Sequence, residues 1–131
     1  MSSDKIVMNL PPGHELNRLV EEALSEYVEC VHDAAGMVFR WSESGKEALE
    51  LWGYIEENVG EAGVLRMPDA PSIIRHFASV GDSESNVSVW TSDWKESLCK
   101  AFLLYQAGYR GEYMHPKWEE AERNAPKRIT Q

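Results

Sequence analysis

The chain predicts an α/β protein of the α+β kind, a small, mostly antiparallel sheet covered by helices. Three observations lead there. An apolar stripe at helical period fills the stretch after Pro12, a second amphipathic segment opens on a capping signal, and three short strand-like runs then precede a third striped helix. Strands grouped between helices, and not alternating with them, favour antiparallel pairing with helices laid across the sheet.

The first helix is the most regular element. Leu16, Leu19, Val20, Ala23, Leu24, Tyr27, Val28 and Val31 recur at the spacing of one helix face. Glu21, Glu22, Ser25, Glu26 and Glu29 take the opposite side, and Pro11-Pro12-Gly13 blocks extension toward the N-terminus, so a helix over about Gly13 to His32 is expected. Asp33-Ala34-Ala35-Gly36 breaks it, and Met37-Val38-Phe39-Arg40-Trp41 reads as a brief strand or an ordered loop.

Ser44 stands three residues before Glu47, the spacing of a capping box in which the hydroxyl accepts from the Glu47 amide and the carboxylate reaches back to the Ser44 amide. Ala48, Leu49, Leu51, Trp52, Ile55 and Val59 give this second helix its apolar side, and Gly60 or Gly63 ends it. Strands are expected at Val64–Met67, Ser72–Val80 and Asn86–Thr91, the last two joined as a hairpin by the polar turn Gly81–Ser85. A third helix starts near Ser92 or Asp93, carries Trp94, Leu98, Ala101, Phe102 and Tyr105 on one stripe, and is capped by Gly108. Beyond Gly111 the chain turns polar, with a short helix near Pro116 to Ala125 and a frayed end. One domain spans residues 1–131, its core about 8–108 and its polar extension 109–131.

Composition excludes several classes of function. The net charge is −9, and residues 15–61 hold twelve acidic side chains against Arg18, Arg40 and Lys46. Phosphate-backbone binding needs clustered cations, so nucleic acid is not expected as a direct partner. No apolar run approaches the roughly 20 residues of a membrane span, and Met1-Ser2-Ser3-Asp4-Lys5 lacks the features of a secretion signal; a cytoplasmic protein without a membrane partner is expected.

Catalytic patterns are missing as well. There is no Gly-x-Ser-x-Gly elbow, no phosphate-binding glycine loop and no His-Glu-x-x-His helix. Cys30 and His32, two apart on a helix, point in nearly opposite directions and make a poor metal pair, while Cys99 has no base that sequence places beside it. A non-enzymatic protein without metal or cofactor is the expectation.

Three stretches resemble the phage ABA-sandwich domain family: the entry Met8-Asn9-Leu10-Pro11-Pro12-Gly13-His14-Glu15-Leu16-Asn17-Arg18-Leu19-Val20, the second helix entry Ser42-Glu43-Ser44-Gly45-Lys46-Glu47-Ala48-Leu49, and the closing helix Trp94–Leu104 with Cys99 inside it. The chain departs from the family where an aromatic feature often follows the first helix, continuing here as Ser25-Glu26-Tyr27-Val28-Glu29-Cys30. The resemblance implies an ABA sandwich and a small phage or prophage accessory protein, from a family with no agreed activity.

Without catalytic machinery, such a protein is expected to counter a host process, such as an antiviral defence system, by stoichiometric binding to a host protein. The docking residues on this reading are Glu21, Glu22, Glu26, Glu29, Glu50, Glu56 and Glu57, with Trp41 and Trp118 as contact anchors. The alternative is an oligomer that sequesters an anionic nucleotide signal through Arg75, His76 and Trp90. It requires a basic cluster drawn from Arg66, Arg75, His76, Lys95, Lys100 and Arg110.

Overall fold

The structure, a computed structural model, describes residues 3–28 and 39–118. Its elements run α1 (Ser3–Asn9), α2 (His14–Leu24), α3 (Gly45–Asn58), β1 (Ala62–Arg66), a 3-10 turn (Ser72–Ile74), β2 (His76–Gly81), β3 (Asn86–Thr91), α4 (Trp94–Gln106) and β4 (Gly111–Met114). The strands form one sheet in the order β1-β2-β3-β4, antiparallel except for the parallel pair β3 and β4. The expected α+β class, with helices packed on a mostly antiparallel sheet, is the class observed.

Alternation along the strands decides which face is covered. Ala78, Val80, Val87 and Val89 are fully buried and join the core formed with Leu16, Val20, Leu24, Leu51, Ile55 and Phe102. Their register neighbours on the same face are Ala62, Val64, Arg66 and Tyr113. The other face carries Leu65, Phe77, Trp90 and Met114 in one row, with Phe77 and Trp90 in ring contact at 4.8 Å.

Helix α4 lies between the sheet and the remaining helices, and every residue from Glu96 to Leu104 is buried. It is the crossover that a parallel strand pair needs, carrying the chain from the end of β3 back to the start of β4 beside it. Asp93 caps its first turn by accepting from the Lys95 amide at 3.0 Å. At the other end Gly108 adopts φ +94°, the Gly108 amide reaches the Tyr105 carbonyl at 3.1 Å and the Tyr109 amide reaches Leu104 at 3.0 Å, the closing pair of a Schellman motif.

Several expectations are corrected. The first striped helix ends at Leu24, whose carbonyl accepts from both Tyr27 and Val28 at 2.9 Å as the chain turns. Val28 still packs against the core after that turn, so it kept the helical spacing in sequence without being helical. Glu29, Cys30, Val31, His32 and the run Met37-Val38 lie outside the described residues, as does the expected helix beyond Trp118. The capping box forms by half: Ser44 Oγ accepts from the Glu47 amide at 3.4 Å, but the Glu47 carboxylate accepts from the Arg40 amide and the Ser44 amide donates to the Arg40 carbonyl.

The run Ser72–Val80 is two elements, because Ile74 is buried from a 3-10 turn before the strand begins at His76. Residues 111–114, read as polar extension, pair with β3 as a fourth strand. The β2–β3 hairpin turns at Gly81, with φ +118°, where a Cβ would stand 2.3 Å from the Ser85 carbonyl oxygen and 2.7 Å from the Tyr105 ring. Asp82 Oδ1 holds the turn by accepting from the Glu84 and Ser85 amides at 2.9 and 2.7 Å. Among the described residues, no helix is long and apolar enough to cross a membrane.

Candidate functional site

β1 is an edge of the sheet, and its free side opens onto an apolar groove. The β1–β2 register, with the Gly81 amide on the Glu61 carbonyl and the Met67 amide on the Arg75 carbonyl, turns Glu61, Gly63, Leu65 and Met67 toward β2. The backbone groups of Ala62, Val64 and Arg66 therefore point outward. Trp52 Nε1 donates to the Ala62 carbonyl at 3.1 Å, and among the described residues the outward donors and acceptors of Val64 and Arg66 meet no other strand.

The groove beside them, about 340 Å³, is lined by Leu49, Trp52, Val64, Leu65, Arg66, His76 and Trp94. Leu49 is 57% exposed and Leu65 54%, both on the groove, and Met67, just past the end of β1, is 37% exposed. Through Leu49 the groove borders the solvent face of α3, where Leu49, Glu50, Gly53, Glu56 and Glu57 recur at helical spacing and are all exposed. Among the described residues, Glu50, Glu56 and Glu57 have no ion pair or side-chain hydrogen bond. Gly53 sits mid-helix with nothing within 4 Å of where a Cβ would be. No packing inside the fold calls for that glycine.

The other acidic residues behave differently. Glu22 is bound to Arg18 at 2.8 Å, and Glu26 accepts from Gln106 on α4. Glu21 is half-buried, and Glu29 lies outside the described residues. The described carboxylates on α2 and in the turn after it are thus largely engaged at home, and the open acidic face belongs to α3.

Of the expected contact anchors, Trp41 is corrected outright: it is fully buried, edge-on to Phe39 and Tyr54 at 5.1 and 6.3 Å, and packs in the core between α2 and α3. Trp118 is half-buried at the end of the described residues. Trp52 and Trp94, expected in the core, are half-buried and line the groove.

Arg75, His76 and Trp90 do not converge. Arg75 donates through Nε and Nη2 to the Ala70 carbonyl at 3.2 and 3.1 Å, which closes the β1–β2 connection. His76 faces the groove, while Trp90 stacks on Phe77 on the opposite face. The wider basic set is dispersed too, with Lys95 on Asp93 at 3.0 Å, Lys100 on Glu96 at 2.6 Å, and Arg110 over the Tyr105 ring at 3.8 Å. Cys99 is fully buried, and burial reinforced by Asp93 and Glu96 pushes its thiol well above the ordinary value, away from the nucleophilic thiolate. Among the described residues no cluster of ligating side chains has metal geometry.

No protein-family model matches the chain, and no curated protein matches it. The chain is similar in structure to a phage protein from Bacillus cereus, with 16% sequence identity, over 72% of this chain and 92% of that one, at a TM-score of 0.53. At that identity the likeness is one of fold.

Proposed function

We propose that this is a phage or prophage accessory protein that acts without catalysis, by binding a host protein stoichiometrically through the β1 edge and the acidic face of α3. The observation that carries the reading is the coincidence, on one edge, of open strand hydrogen-bonding groups at Val64 and Arg66, exposed Leu49, Leu65 and Met67, and unpaired Glu50, Glu56 and Glu57. Such an edge takes an extended segment that adds main-chain hydrogen bonds and seats an apolar side chain in the groove. The carboxylates select a basic partner and speed its approach, so binding weakens as salt rises. The fold shared with a phage protein and the N-terminal resemblance support the setting, and a host defence component is the class of target proposed.

A photo-crosslinking side chain placed at Leu65, and separately at Ser83 in the distant hairpin, tests the reading in host lysate. The expected result is one specific adduct from the Leu65 position, lost when Glu50, Glu56 and Glu57 are replaced by Lys, and none from Ser83. Equal labelling from both positions, or an adduct indifferent to the three charge reversals at low salt, overturns it.

A further inference from the structure

At the opposite end of α4 from the Schellman cap, a cleft of about 410 Å³ opens between the Met8–Pro12 segment, the first half of α4 and the residues after β4. Its volume lies in the range of about 300–1,000 Å³ usual for small-molecule sites. The floor is an ion pair that is itself buried: Lys100 Nζ donates to Glu96 Oε2 at 2.6 Å and to the Met8 carbonyl at 3.0 Å, with the two residues 1% and 3% exposed. A charge pair taken out of water needs its remaining hydrogen-bonding capacity satisfied. Among the described residues the protein satisfies it only in part, and the remainder opens on the cleft. Glu96 Oε1 accepts nothing among the described residues, and the ammonium has a third N–H to give.

Apolar side chains from Met8, Leu10 and the rigid rings of Pro11, Pro12 and Pro116 share the walls with polar Asn9, Ser92, Asp93 and His115. The charges balance locally, since Lys100 answers Glu96 and Lys95 answers Asp93, and this leaves the exposed Lys117 as an extra cation at the rim. His115 Nδ1 accepts from the Lys117 amide at 3.1 Å. A ligand matched to this site is flat, offers a donor to Glu96 Oε1 beside an acceptor for Lys100 Nζ, and carries one negative group for Lys117.

We propose that the cleft binds a mononucleotide whose base presents a lactam edge, an N–H next to a ring carbonyl, as in uracil and guanine. A trans peptide bond points its N–H and C=O in opposite directions and cannot meet the two floor groups at once; a lactam, cis by ring closure, presents both on one side. A carboxylate and an ammonium are the strongest acceptor and donor for that edge. Adenine and cytosine offer an amino group beside a ring nitrogen, a weaker match to Lys100 than a carbonyl oxygen.

Calorimetric titration of the whole chain with uridine, guanosine, adenosine and cytidine 5′-monophosphates, and with uridine and guanosine, tests this. Uridine or guanosine monophosphate should bind one per chain, at least roughly tenfold tighter than the adenosine and cytidine compounds. Lys117→Ala should weaken the nucleotide by about tenfold and leave the nucleoside unchanged. Ser92→Phe, at an exposed position on the cleft wall, should abolish both while the thermal transition stays in place. Glu96→Gln is the direct floor variant, and the two surface variants keep the test decisive if it fails to fold. No heat with any nucleotide at millimolar concentration, equal affinity for all four, or binding untouched by Ser92→Phe overturns the proposal.

Discussion

Helices α3 and α4 are nearly equal in length, at 14 and 13 residues, and each is opened by a side-chain cap, yet they play opposite parts. In α4 nine consecutive residues are buried, and its charged Glu96 and Lys100 answer one another inside the protein. In α3 only Ala48, Leu51 and Ile55 are buried, and the far side carries a leucine, three unpaired glutamates and a glycine in water. The contrast teaches where to look for function. Most of α4 is used by its own fold, with only Glu96 and Lys100 also reaching a cleft, whereas the whole outer face of α3 holds features that the fold does not use.

The largest effect should come from breaking the pair inside α4. Lys100→Met leaves Glu96 buried without its cation, which costs about 3–5 kcal/mol, and urea or thermal unfolding should show the midpoint fall accordingly. Replacing both partners, as Glu96→Leu with Lys100→Met, should recover most of that loss, since an apolar pair of similar size avoids the desolvation. A single variant of unchanged stability would mean that water reaches the pair through the cleft and that the seating of α4 does not depend on it. Charge changes on α3 at Glu50, Glu56 or Glu57 should by comparison move stability by less than about 0.5 kcal/mol.

The same contrast explains what the sequence disclosed. The caps at Ser44 and Asp93, the stripe Leu16–Val20–Leu24, the hairpin and the Gly108 stop are local signals, set by a few adjacent residues, and each was legible. β4 was not, because Gly111-Glu112-Tyr113-Met114 has no strand character of its own and exists through its long-range partner β3. Glu96 and Lys100, spaced four apart, look like an exposed helical pair, and only the packing of α4 against elements on all sides puts them indoors. Trp41 misled for the same reason: a large aromatic beside a loop reads as a contact until the neighbouring helices close over it. The groove was hidden because Leu49, Trp52, Leu65 and Trp94 come from three elements, each with an adequate core explanation when taken alone.

A next step down in size concerns the two glycines that separate fold from surface. Gly81 has a left-handed backbone and no room, so Gly81→Ala should destabilise by about 1–3 kcal/mol, the usual cost of such strain, with more if the hairpin shifts. Gly53 has helical surroundings and open space, so Gly53→Ala should stabilise by roughly 0.5–1 kcal/mol. If α3 is a docking face, the added methyl should also weaken capture of the partner. A stabilised variant with undiminished crosslinking from Leu65 would detach Gly53 from the proposed surface without touching the strand edge.

The smallest effect is one of pH, and it should arise at the α4 end of the molecule. His115 lines the cleft, where partial burial, aided by Lys100 and Lys117 and opposed by Glu96, holds its imidazole below the ordinary value of 6.5. The folded chain therefore holds fewer protons than the unfolded one between the lowered value and 6.5. Stability tied to this group is complete above 6.5 and is lost as the pH falls through the lowered folded value. Thermal midpoints measured from pH 7.5 to 5 should decline more steeply for the parent chain than for His115→Gln, which keeps a polar side chain without titrating. Parallel curves for the two proteins would place the imidazole in ordinary solvent, and the cleft would then be wetter at its mouth than the buried floor beneath it requires.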